Sequence, residues 1–300
     1  MCPGGVTDST ASGSGVNCSV SFNSGCEHGT HVAGIAAGAN GIFLGSAFSG
    51  VAKDASIIAI QVFSDINGSL GSWDSDEIKG LEQVYALRGT YQIAAVNLSL
   101  GGGYYTSNCD SSYPAYKTAI DNLRSVGIAT VIASGNNGYT NGISFPACIS
   151  TAISVGATDK SDVVASYSNS ASLLDLLAPG SSILSSIPGG GYAYFSGTSM
   201  ATPHVTGAWA LLKSAKPSAT VDEIFTALHN TGIPITDTRN GLVFPRISVA
   251  DTLNSLLSNS WVKIPGAILS APALAWNPSA NKLQVVVRSI DGSSIWKILY

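Results

Sequence analysis

With 300 residues, 45% of them hydrophobic and only 11% charged, the chain can bury a sizeable core and has the wrong balance for a disordered one. Its net charge is −4 and its 14 Lys and Arg form no basic block, so nucleic acid is not an expected partner. The longest apolar runs, over 57–63 and 128–133, are strand-sized and far short of a bilayer span, so no membrane partner is expected either.

Residues 1–27 read as an irregular loop rich in Gly, Ser and Cys. From His28 the pattern turns helical, with Val32, Ile35 and Ala36 on one face. Residues 57–63 read as a buried strand. Residues 74–88 form a predicted helix, with acidic residues in its first turn and Ile78, Leu81, Val84 and Tyr85 on one face. A strand over 94–100 follows, then a helix over 114–126 that Gly127 can terminate, and strands over 128–133 and 151–157. Helices are predicted over 199–215, 221–230 and 247–257. Strands alternating with helices of this length imply βαβ crossovers and a mainly parallel sheet covered on both faces. Near residue 262 the character changes. Short strands over 273–276, 283–288 and 295–300, separated by turn residues, read as a β-meander. The expected organisation is an α/β domain over 1–262 and a partial meander over 263–300.

Five cysteines occur, at Cys2, Cys18, Cys26, Cys109 and Cys148, with no C-x-x-C pair to support a zinc knuckle or redox motif. Disulfides made in an oxidising compartment are expected, hence a secreted protein, with the odd cysteine pairing upstream of Met1. Residues 1–8 have neither the basic start nor the apolar centre of a signal peptide, so the leader is also expected upstream.

Four stretches carry chemistry. Gly197-Thr198-Ser199-Met200-Ala201-Thr202-Pro203-His204 places a serine where a glycine-containing loop enters an apolar helix. There the hydroxyl is exposed and free backbone N–H groups can hold a developing oxyanion, although by itself the pattern reads first as a plain helix cap at Ser199 or Thr198. His28-Gly29-Thr30-His31-Val32-Ala33-Gly34 puts a histidine at another helix start, suited to accept a serine proton near neutral pH. His28 and His31 would need further ligands to hold a metal. Ser134-Gly135-Asn136-Asn137-Gly138 follows a buried strand and offers an amide N–H to an oxyanion. Asn97-Leu98-Ser99-Leu100-Gly101-Gly102 ends another strand and can pair with an extended peptide. The bland readings of the last two are a turn and a strand-to-loop transition.

Together and in this order, these stretches make residues 26 to about 255 resemble the subtilisin-like serine protease family. The resemblance implies a three-layer α/β/α fold with a mainly parallel seven-stranded sheet, its first strand expected upstream of this sequence. It implies His28 as general base and Ser199 as nucleophile, with Asn136 and the Ser199 N–H as the oxyanion site. Ser99, Leu100 and Gly101 would bind the acyl side of a substrate, and Ala133, Ser134 and Gly135 would wall the primary specificity pocket. His31 and His204 match positions with structural roles. The implied partners are protein or peptide substrates met by a monomer. No cofactor is needed for chemistry, and bound structural calcium is implied without assignable ligands.

One departure stands out. In this family an aspartate ending a buried strand precedes the histidine. Only Asp8 occurs before His28, in a Gly- and Ser-rich setting with nothing to bury it. The triad acid is therefore expected upstream, and the 300 residues alone should be weakly active or inactive. The alternative is a pseudoprotease, or a module that binds peptides or glycans without cleaving them. The tail, through residues 273–278, 283–288 and Trp296, resembles part of a lectin-like β-propeller blade, which would bring glycan binding.

Overall fold

The structure, a computed structural model, describes residues 14–17, 24–66, 69–258, 262–264, 273–277, 282–288 and 295–299. The chain forms two compact units, Met1–Val249 and Ala250–Tyr300.

The first unit is built on a six-stranded sheet in the order Ile233–Thr236, Val243–Arg246, Leu176–Pro179, Ile153–Thr158, Ala129–Ala133 and Ala95–Leu98. Every pairing is parallel except that of Ile233–Thr236 with Val243–Arg246. Every residue of Ala129–Ala133 and Ile153–Thr158 is buried, as a strand covered on both faces must be. This unit's helices are α1 (His28–Ala37), α2 (Asp74–Leu87), α3 (Pro114–Ser125), α4 (Thr198–Ala215) and α5 (Val221–Thr231), while α6 (Val249–Ser258) starts at its last residue and falls in the second unit. Local chemistry sets their ends. Three acidic residues open α2, Pro114 begins α3, and Thr220 with Glu223 forms a reciprocal capping box on α5.

Side-chain alternation assigns the layers. Val96 and Leu98 pack with Leu81, Tyr116 and Ile120 of α2 and α3. Asn97, between them, accepts a hydrogen bond from Thr206 of α4 at 3.0 Å. Helices α2 and α3 therefore cover one face and α4 the other. α4 packs on four strands and on α1. Two glycines let α1 sit close. A Cβ on Gly34 would lie 2.3 Å from Ser185 Oγ, and one on Gly207 would lie 2.7 Å from Ala36 O. Cys109 and Cys148 form a disulfide buried among Tyr116, Ile143 and Phe145. Cys26 is also disulfide-bonded.

The buried strand expected over 57–63 is not there. Residues 57–62 are not in a strand, and Ile57, Ile58 and Ile60 are exposed. A strand is stabilised by a ladder partner and two covered faces, and among the described residues this segment has no partner. Phe63–Ile66 instead makes a hairpin with Ser69–Ser72. Among the described residues the main sheet has six strands. Sequence patterning also missed the hairpin of Ile183–Ile187 with Gly191–Phe195, and the pairing of Gly102–Tyr105 with Ile143–Phe145.

The second unit holds a four-stranded antiparallel sheet in the order Val262–Ile264, Ile295–Leu299, Lys282–Arg288 and Ala273–Asn277. The three expected tail strands are present, and Val262–Ile264 adds a fourth. Most of the expected turn residues between them lie outside the described residues.

Candidate active site

Ser199 is the second residue of α4. Near a helix start the backbone N–H groups have no carbonyl four residues back to bond. Met200 and Ala201 N–H both donate to Gly197 O, and Thr198 N–H donates to Asn136 Oδ1 at 2.8 Å. The Ser199 N–H has no acceptor among the described residues.

That bond from Thr198 decides how Asn136 is oriented. A backbone N–H can only donate, so the amide atom facing it must be the oxygen. The Thr198 hydroxyl donates to the same oxygen at 2.9 Å and accepts from the Gly135 N–H at 3.2 Å. With Oδ1 held twice, the Asn136 Nδ2 remains free to donate. Asn136, Ser199, Leu100, Gly101, Ala133 and Gly135 line one cleft of about 290 Å³, completed by Asn137, Ser144 and Thr198.

The remaining predicted residues stand around this cleft. Ser99 bonds Ser199 twice: its Oγ donates to Ser199 O at 2.8 Å, and its carbonyl accepts from Ser199 Oγ at 3.3 Å. Thr206, Asn97 and Ser99 form a relay of side-chain hydrogen bonds that fastens the strand Ala95–Leu98 and the residues after it to α4. Ser134 is buried behind the wall, where its Oγ donates to Asn169 O at 3.0 Å. Gly135 adopts φ +105°, and a Cβ there would lie 2.3 Å from both Asn169 Nδ2 and Ser144 Oγ.

His28 is the first residue of α1, the helix that packs on α4. Burial, and then the positive charge available on His31, hold its imidazole below the usual histidine range. It is therefore neutral near pH 7 and able to accept a proton. No hydrogen bond joins it to Ser199, whose proton rests on the Ser99 carbonyl. Such bonds are commonly misaligned without substrate. No carboxylate among the described residues contributes to its electrostatics. Asp8 lies outside the described residues.

The subtilase family model matches residues 17–253. The chain belongs to the subtilase family. It is 38% identical over 213 residues to subtilisin E of Bacillus subtilis (strain 168), covering 70% of this chain and 51% of that protein. It is 37% identical over 219 residues to subtilisin Savinase of Lederbergia lenta, covering 72% and 75%. The chain thus spans about half the length of several curated relatives that it matches. Among solved structures it resembles a protease from Pseudoalteromonas arctica PAMC 21717, with TM-score 0.64, 31% identity and coverage of 76% and 70%. It also resembles a cold-adapted subtilisin-like serine proteinase, with TM-score 0.60, 33% identity and coverage of 74% and 75%.

The other two histidines of the subtilase motifs turn away from the cleft into backbone contacts. His31 is buried, with Nε2 3.0 Å from Ala193 O and its ring stacked on Phe195 at 4.3 Å. Since a carbonyl only accepts, that nitrogen carries the proton. His204 Nδ1 lies 2.9 Å from Met200 O. Among the described residues no group of three or more His, Cys, Asp or Glu could hold a metal.

Sequence reasoning passed over Thr198 as a bonding partner, Ser144 and Asn169. Thr198 was within reach, because a hydroxyl at a helix start is a known acceptor for backbone N–H groups. Ser144 and Asn169 carried no signal. Each lies in a polar stretch that reads as loop, and only the folded chain brings them to the cleft.

Proposed function

We propose that the chain is a serine endopeptidase. The observation that carries this reading is the locked Asn136 amide, whose free Nδ2 shares a cleft with the unpaired Ser199 N–H and the Ser199 hydroxyl. In this reading Ser199 Oγ attacks the scissile carbonyl of an extended peptide held along Ser99–Gly101, while neutral His28 takes the hydroxyl proton. Asn136 Nδ2 and the Ser199 N–H stabilise the tetrahedral oxyanion. Its collapse expels the amine, which receives the proton from His28. Water, deprotonated by His28, then attacks the acyl-enzyme and releases Ser199. The buried disulfide supports a protein made for an oxidising compartment.

The test is labelling by a fluorophosphonate, with Ser199→Ala as control, beside hydrolysis of a peptide substrate. Labelling that disappears in Ser199→Ala, together with hydrolysis, is the expected outcome. A folded chain that binds peptide but is not labelled would favour the binding module instead. That second reading draws on the absence of a described carboxylate acting on His28.

Calcium, implied by the family resemblance, finds no cluster of ligating side chains among the described residues. Asp175, the one carboxylate in the cleft it lines with Asn108, Ser150 and Ser172, already accepts from Ser154 N–H and Oγ, both at 2.8 Å.

A further inference from the structure

The side chain of Asn169 is fully buried, yet it reaches both halves of the cleft. Its Oδ1 accepts from the N–H groups of Asn137 at 2.9 Å and Tyr139 at 3.1 Å. Two backbone donors on one atom fix that atom as the oxygen. Its Nδ2 therefore faces Ser134 O at 3.1 Å, Asn137 Oδ1 at 3.3 Å and Ser144 Oγ at 3.2 Å. The Asn169 backbone adds two bonds, donating to Gly135 O at 2.9 Å and accepting from Ser134 Oγ at 3.0 Å. The loop 134–139 is thus wrapped around one residue 30 or more positions later in the chain. That loop contains the pocket wall, Ser134 and Gly135, and the oxyanion donor, Asn136.

We infer that Asn169 is a positioning residue that sets the aim of the Asn136 donor through its oxygen and the shape of the primary pocket through its nitrogen. The inference rests on the endopeptidase reading of the same cleft. Asn169 touches no substrate. It acts through Asn137 and Tyr139 on one side and through Ser134 and Ser144 on the other. Gly135 shows how tight the arrangement is, since no Cβ fits between the wall and the Asn169 amide. An amide is the group that can do this, because it combines an acceptor and a two-hydrogen donor on one short side chain.

The two functions separate by substitution. Asn169→Asp keeps an acceptor toward Asn137 and Tyr139 but turns the donor facing Ser134 O into a second acceptor. Asn169→Ser loses reach on both sides. The experiment uses the full chain, with active sites titrated by fluorophosphonate. It measures kcat and KM on peptide substrates that differ only in the residue before the scissile bond. In Asn169→Asp, discrimination among those residues should fall by about 10-fold, while kcat on the preferred one falls only a few-fold. In Asn169→Ser, kcat on the preferred substrate should fall by about 10–100-fold, the scale of a catalytic group displaced by about 1 Å. A merely structural role would lower the melting temperature and the active fraction but scale every substrate alike. Uniform scaling per titrated site in either variant overturns the inference, and Asn169→Ser alone decides it if Asn169→Asp does not fold. A wild-type chain with no Ser199-dependent labelling overturns the endopeptidase reading, and the positioning role with it.

Discussion

Breaking the Cys109–Cys148 cross-link gives a stability test whose size follows from the chain itself. The two residues are 39 positions apart, so the bond closes a long loop in the unfolded state. The chain-entropy relation for such a loop gives about 13 cal/mol/K, or about 4 kcal/mol at 25 °C. Both sulfurs are buried, and replacing either cysteine with alanine removes packing worth about 1 kcal/mol more. Each single variant loses the whole cross-link, so Cys109→Ala and Cys148→Ala should each cost about 5 kcal/mol. The double variant should cost about 6 kcal/mol rather than the sum of the singles, and the shortfall of about 4 kcal/mol is the cross-link itself. Urea unfolding followed by circular dichroism measures all three against wild type. The cross-link term corresponds to a melting temperature lower by about 8–16 °C in a domain of this size. Activity per folded molecule should persist, because Ser144 N–H still donates to Ser134 O and keeps the pocket wall closed. A double variant that costs the sum of two small single effects would show that the cross-link restrains nothing.

The site offers three further tests. Thr198→Val keeps the shape but leaves the Gly135 N–H unpaired and Asn136 held by one bond. Stability should fall by about 1–3 kcal/mol and kcat by about 10-fold, read from urea melts and peptide hydrolysis. Gly207→Ala pushes a methyl to within 2.7 Å of Ala36 O and Val51 Cβ, forcing α1 off α4. It should cost about 1–3 kcal/mol and lower kcat more than it changes KM, because it shifts His28 against Ser199. Burial lowers the pKa of His28, His31 and His204 in the folded state. The unfolded chain therefore binds more protons as pH falls through the ordinary histidine range, and this contribution, complete above it, is lost toward acid. The urea midpoint should drop between pH 7 and pH 5, and His31→Gln should flatten that drop. An unchanged pH slope in His31→Gln would show that the stacked imidazole is not held neutral by the fold.

Much of the frame was legible because its signals are local. The 3.6-residue spacing of Ile78, Leu81, Val84 and Tyr85, and the mostly apolar, β-branched run over 128–133, each point to one structure wherever they occur. Ser199 was legible for the same reason, since its helix start is written in its neighbours. The isoleucines at 57, 58 and 60 misled, because an apolar run states what it would bury and not whether a partner strand is at hand. Asn169 was invisible because its importance lies in five side-chain hydrogen bonds to residues brought near only by the finished sheet. The hairpin of Ile183–Ile187 with Gly191–Phe195 was missed because strong alternation is lacking in its serine- and glycine-rich sequence.

Ser199 stands at the tip of a helix deep in the described structure, where Val205, Ala208, Trp209 and Leu212 are wholly shielded from solvent. Such an axle does not fray ahead of the rest, since opening it empties the interior. Heat inactivation should keep pace with global melting, so a simple turnover assay doubles as a thermometer for the whole domain.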